Sequence, residues 1–215
     1  LSNSLVLPAN MAPTIVSKLP LILNKYLFIT YKVYFKKINV QEGLKTRYTI
    51  YLILKILKTR HVDFNEIFIE KVISKDFSIS DRKMIHNVVL NTMRFHLYVD
   101  KIIKIFSKKI NKSSDNYFLL LSAVTQLLVL NFKDFAVINS TVELTKDKRI
   151  KASTKFINGI LRNINKNRTS LLKLKYNFSQ LPLWFKKRVS FWNKKEKEKF
   201  INTISEEPDL HIVFK

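Results

Sequence analysis

Between Pro20 and Pro182 the chain has no proline, and its only two glycines are Gly43 and Gly159. A sheet-rich fold has to turn every few residues, and those turns rely on Gly, Asn-Gly or Pro. Such signals are missing at the required intervals. Long helices joined by short polar loops are what remains. Hydrophobic residues make up 47% of the 215, enough to build a packed core and to exclude wholesale disorder.

The apolar periodicity places the helices. Leu44, Tyr48, Tyr51 and Leu52 predict one over 44–59, and Phe64, Ile67, Phe68 and Val72 another over 64–74. Ser80 is the expected N-cap of a third, with Asp81 in its first turn, burying Ile85, Val88, Val89 and Met93 and ending near Arg94. A fourth covers 96–108. Asp115 is the expected cap of the most apolar helix, Tyr117–Leu130, which is apolar nearly all round and belongs in the centre of a bundle. Helices at 135–147 and 151–165 follow. Gly159 falls within the last of these, where it costs about 1 kcal/mol against Ala, so a close helix–helix approach is expected there. The sequence thus predicts an all-α bundle of about seven helices over 43–165, then a helical linker and the start of a further region over 166–215. Within that region, Leu183–Trp192 and Lys194–Ile204 read as amphipathic helices with Asn193 as a cap between them. Residues 210–214 alternate like a strand that the chain cuts short. Residues 1–42 form a leader: 1–41 lack acids and hold three of the five prolines. It reads as a transit peptide or a non-native extension, and no run in it approaches the roughly 18–20 apolar residues of a membrane span.

The formal charge is +23, from 39 Lys and Arg against 16 Asp and Glu. Such a balance favours a polyanionic partner. Lys outnumbers Arg 31 to 8 in a chain rich in Ile, Asn, Phe and Tyr, so an AT-rich coding bias accounts for part of the excess. There is no cysteine, which excludes disulfides, thiolate zinc sites and a thiolate nucleophile, and is compatible with the cytoplasm. His61, His86, His96 and His211 lack metal-ligand spacing, so no metal is expected.

Two segments are specific enough to carry a resemblance. Ala136-Val137-Ile138-Asn139-Ser140-Thr141-Val142-Glu143-Leu144 resembles the "A-V-N-x-x-V-E-L" helix of NusB-like domains, and Phe156-Ile157-Asn158-Gly159-Ile160-Leu161-Arg162 resembles their "F-V-N-x-x-L-R" helix. Asp81-Arg82 and Leu90 through Arg94 look like the "D-R … L-V-x-G-x-x-R" helix, with Asn91 in place of Gly, and Arg47 matches the first-helix Arg. Pro182-Leu183-Trp184 and Glu207-Pro208 look like the stretches that join a NusB-like domain to the catalytic part of Sun/RsmB-type ribosomal-RNA cytosine-5 methyltransferases, whereas Ile212-Val213-Phe214-Lys215 departs from the pattern.

The resemblance implies a module that holds ribosomal RNA for its own C-terminal methyltransferase domain, with S-adenosylmethionine as that domain's cofactor. The reaction needs a Cys thiolate on cytosine C6 and a glycine-rich cofactor turn. This chain carries neither, so it is expected to be a non-enzymatic fragment. Two alternatives stand beside it: a free-standing antitermination adaptor binding RNA and a ribosomal protein, and a helical protein–protein docking module. Lys45, Arg47, Lys55 and Lys58 on the first helix and Arg82 and Lys83 on the third are the candidate phosphate contacts. Arg94, Asn139, Glu143, Asn158 and Arg162 are expected instead to form a fold-fixing or interdomain polar network, with Glu143 paired to Arg94 or Arg162. Trp184, Phe185 and Trp192 could stack bases, but their spacing favours the buried stripe of a docking helix.

Overall fold

The computed structural model describes residues 43–60, 62–174 and 178–205. The leader and the strand expected at 210–214 lie outside the described residues. Among those described, all regular structure is helical. Helix α1 spans 43–59. Helix α2, Phe64–Phe68, runs on into a π turn, Ile69–Ile73; α3 is Ile79–Arg94 and α4 is His96–Phe106. Helix α5, Asp115–Val124, continues as a second π turn, Thr125–Val129; α6 is Asp134–Leu144 and α7 is Thr154–Lys166. Beyond them come α8, Arg168–Leu172, a 3-10 turn at Phe178–Gln180, α9, Leu183–Arg188, and α10, Lys194–Ser205. None is long and apolar enough to cross a membrane.

Helix α5 is central because its sequence gives it no polar face. Every residue from Tyr117 to Leu128 is buried, and α3, α4, α6 and α7 pack around it. Each fully buried Leu or Phe here contributes about 1.5–3 kcal/mol relative to exposure. The surrounding helices are amphipathic: α3 turns Ile85, Val88 and Val89 inward, α4 turns Val99, Ile102 and Ile103, and α7 turns Ile157, Ile160, Leu161 and Ile164. Met93, expected inside, is 48% exposed.

Two expected caps are shifted by a residue or two. Ser78, not Ser80, caps α3: its Oγ accepts from the Asp81 N–H at 3.1 Å and donates to Asp81 Oδ2 at 2.6 Å. Asp81 makes both bonds with the Ser78 hydroxyl from the third position of the helix, which places the cap three residues before it. Ser114, not Asp115, caps α5, accepting from the Tyr117 N–H at 3.4 Å. That frees the Asp115 carboxylate, one residue inside the helix, for longer-range bonds. Asn193 does cap α10. Its Oδ1 accepts from the Glu196 N–H at 3.0 Å, and its own N–H donates to Glu196 Oε2 at 2.7 Å.

Gly159 does not mark a close approach. It is exposed, and a Cβ added there would meet nothing within 4 Å. Gly159→Ala is therefore expected to stabilise the fold by about 0.5–1 kcal/mol, by removing backbone freedom without a clash. Urea unfolding of the two chains measures it, and a loss of stability would contradict the open surroundings.

Helix α9 stops at Arg188, short of Trp192, and the chain turns back so that rings interlock. Phe185 stacks on Phe200 at 5.1 Å between centroids, and Trp192 lies 5.3 Å from Phe200. Val189 and Ile201 are buried beside them. Of the three aromatics expected on one stripe, Phe185 and Trp192 are half-buried, while Trp184 is left 65% exposed.

Candidate nucleic-acid interface

The chain's cations are in excess and most of its acids are already committed. Residues 45–166 carry 23 Lys and Arg against 10 Asp and Glu. Asp81 accepts from Thr46 Oγ1 at 2.8 Å as well as from Ser78. Asp100 takes Tyr117, Lys104 and Lys112; Asp115 takes Lys55; Glu143 takes Lys146; Asp147 takes Arg149. The surplus positive charge is left on the surface, where it can meet phosphate.

One corner of the bundle gathers several candidates. The start of α1 and the start of α3 meet around residues 76–82. Lys45 Nζ donates to the Asp76 carbonyl at 2.8 Å and lies 4.5 Å above the Phe77 ring. Arg82 Nε donates to the Phe77 carbonyl at 3.0 Å. Arg47 is half-buried beside Asp81; burial lowers its pKa, and the Asp81 charge opposes that shift. Lys83, the next residue along α3, is exposed. Lys45 and Arg82 thus meet at one short loop, with Arg47 beside the start of the helix that follows it.

Lys55 and Lys58 do not join this corner. They sit about 15–20 Å further along α1, at 1.5 Å per residue. Lys55 is also spoken for: its Nζ donates to Asp115 Oδ1 at 2.7 Å and to the Tyr51 hydroxyl at 3.1 Å. Burial, together with hydrogen bonding to Asp115, pushes the Tyr51 hydroxyl up to about 12. Lys58 is exposed and rims a groove of about 240 Å³ lined by Leu54, Met93, His96 and Phe118. Burial, with Lys58 adding to it, holds the His96 ring below its ordinary value, and Asp100 opposes them.

Sequence reasoning missed Arg149. The α6–α7 loop carries its guanidinium to 4.0 Å from the centroid of the Tyr48 ring, one helical turn along α1 from Lys45. Asp147 holds it in a two-pronged pair, Nε to Oδ1 at 2.9 Å and Nη2 to Oδ2 at 2.6 Å. The Asp147 carboxyl is held down at about 2 by these bonds. A loop cation one hundred residues from α1 leaves no periodic trace. The nearest sequence signal is the Asp-Lys-Arg run itself.

The five residues expected to form a fold-fixing or interdomain polar network are not gathered inside the bundle. Arg94, Asn139, Glu143 and Arg162 are exposed, and Asn158 is half-buried. Glu143 pairs with Lys146 at 2.7 Å rather than with Arg94 or Arg162. Arg162 Nε donates to Asn158 Oδ1 at 2.9 Å, one turn back on α7. Arg94 lies against the Phe95 ring at 5.8 Å. These residues occupy the outward faces of their helices because Val137, Ile138, Thr141, Ile157 and Leu161 take the inward ones. The buried polar work is done instead by Asp100, Asp115 and Thr125, all under 9% exposed.

Among the described residues, no group of three His, Cys, Asp or Glu side chains could hold a metal ion. No curated protein and no solved structure matches the chain. The sequence profile of the NusB family does match, over residues 45–166, the span from the start of α1 to the end of α7. That span covers more than half of the polypeptide and the seven helices α1–α7, with α5 at their centre, so the chain belongs to the NusB family.

Proposed function

We propose that the bundle binds ribosomal RNA through the corner where α1 meets α3, and presents it to a cytosine-5 methyltransferase domain of the same polypeptide. The observation that carries the RNA half is that Lys45 and Arg82 both reach residues 76–77 while Arg47 lies beside Asp81, with Lys83 next on α3 and Arg149 over Tyr48, one turn along α1 from Lys45. Helix-borne cations of this kind neutralise phosphates and position the RNA backbone without reading sequence. The methyltransferase half rests on the Pro182-Leu183-Trp184 and Glu207-Pro208 stretches, which lie beyond the family span. S-adenosylmethionine and the thiolate chemistry belong to that further domain, since no Cys is present here.

Lys45→Glu with Lys83→Glu is the direct test of the RNA half. Affinity for a ribosomal-RNA fragment is expected to fall roughly tenfold or more near physiological salt. The slope of log K against log salt is expected to become shallower by about 2. Circular dichroism is expected to stay that of the parent, because both side chains are exposed. A parent chain whose binding ignores salt would instead favour protein docking. For the methyltransferase half, the gene's reading frame is expected to continue into a glycine-rich loop and a Pro-Cys pair. A stop soon after Lys215 would favour the antitermination adaptor, which binds RNA together with a ribosomal protein.

A further inference from the structure

From Lys148 to Lys195 the chain holds 14 Lys and Arg and not one Asp or Glu. At the end of that acid-free stretch, the aromatic cluster leaves two rings outside. Trp184 on α9 is 65% exposed, and Phe191 in the turn after it is 79% exposed. Each is the chain neighbour of a ring packed within the cluster. Trp184 adjoins Phe185, touching it edge-on at 5.8 Å, and Phe191 adjoins Trp192. Phe185 and Trp192 are themselves 6.1 Å apart. Around them, Lys187, Arg188, Lys194 and Lys195 are exposed, while Lys186 is tied to the Ser179 carbonyl at 2.9 Å.

We infer that this surface is a second RNA contact, one that takes single-stranded RNA by stacking unpaired bases on Trp184 and Phe191 while the neighbouring cations follow the phosphates. It lies outside the span matched by the family and extends the reading given under Proposed function, from which it borrows only the class of ligand. Charge complementarity selects the occupant. Exposed π faces set among cations with no acid between them suit a strand that offers bases and phosphates together. A protein partner would find no anionic side chain along 148–195; the nearest acids are Glu196, which accepts from the Asn193 N–H, and Glu198, both on α10 and outnumbered by the cations around them. A lipid surface would ask for a longer amphipathic helix than the six residues of α9. Base-paired RNA hides its π faces, so the surface distinguishes single strands from duplex.

The test uses the full chain with Trp192→Phe, which leaves Trp184 as the sole indole. The probes are an oligouridine of about 12 nucleotides, a duplex RNA of similar length and phosphatidylserine vesicles. Oligouridine is expected to quench Trp184 fluorescence. Trp184→Ala is expected to weaken oligouridine binding about tenfold with duplex binding unchanged, and Trp184→Phe to restore most of the loss by keeping a stacking ring. Quenching absent with oligouridine, equal affinity in Trp184→Ala, or an emission change with vesicles alone would each overturn the inference. Failure of the α1–α3 corner reads differently: Lys45→Glu with Lys83→Glu would then leave duplex binding intact while Trp184 is still quenched by oligouridine.

Discussion

Replacing Phe118 with Ala is expected to cost the bundle about 4 kcal/mol and lower its melting temperature by roughly 10 °C. Phe118 has no exposed surface and stands one turn inside the central helix, against which α3, α4, α6 and α7 all pack. Truncation removes a benzyl group's worth of transfer free energy. It also opens a void that α5 cannot collapse into, because Leu119, Leu120 and Leu121 fix it on the other sides. Domains of this size hold only about 5–15 kcal/mol in total, so the variant gives up a large part of its margin. Phe118 also forms part of the wall of the groove beside Leu54 and His96, so the void opens towards solvent on that side. Denaturant titration at constant m-value measures the loss, and a cost below about 1 kcal/mol would mean that α5 is not the centre of the core.

Asp115→Ala is the second large effect, expected at about 3 kcal/mol at neutral pH. One oxygen of this buried carboxylate accepts from Lys55 Nζ and the other from the Lys151 N–H, both at 2.7 Å. Its removal strands a backbone donor and a lysine, and separates α1 from the loop before α7. Burial by itself would raise the Asp115 pKa, but the bonds from Lys55 and Lys151 outweigh it and hold the carboxyl below its usual value. A folded-state pKa below the unfolded one stabilises the native chain above about pH 4. That contribution is lost as pH falls through the lower, folded value. The difference between parent and variant should therefore be full at pH 7 and begin to shrink as pH falls below about 4. Asp100, held low against its own burial by Lys112, Lys104 and Tyr117, adds acid sensitivity in the same direction. A gap that stays constant with pH would mean that the charge on Asp115 plays no part.

The fold was legible because apolar spacing records which way a helix faces. The seven helices of the bundle, the central place of α5 and the cap at Asn193 all follow from that spacing and from local side-chain chemistry. Caps at Ser78 and Ser114 were displaced because Ser and Asp stand close together at both sites, and only the backbone decides which of them turns into the helix. The candidate site was legible in part. The positions of Lys45, Arg47 and Arg82 at two helix starts can be read from the apolar spacing, but not that those two starts meet. Lys55 was assigned to RNA and proves to be bound to Asp115, a partner 60 residues away that periodicity cannot supply. Asn139, Glu143, Asn158 and Arg162 were placed inside because their neighbours are apolar. In a helix, though, chain neighbours point to different sides, and these four take the outward positions.

Arg168 and Leu171 set how much of the polypeptide has to be kept together. The guanidinium of Arg168 reaches back to the Leu127 carbonyl at 2.7 Å and to the Asn131 side chain, at the point where the second π turn ends and Asn131 adopts a positive φ of 55°. Leu171 is buried in the main core, and its carbonyl accepts from the Tyr98 hydroxyl at 3.0 Å. Excision at the family's own border, residue 166, would discard both anchors, uncork the foot of the central rod and bare an oily socket. An expressible minimal piece should therefore run through Leu174, one short helix past the family span.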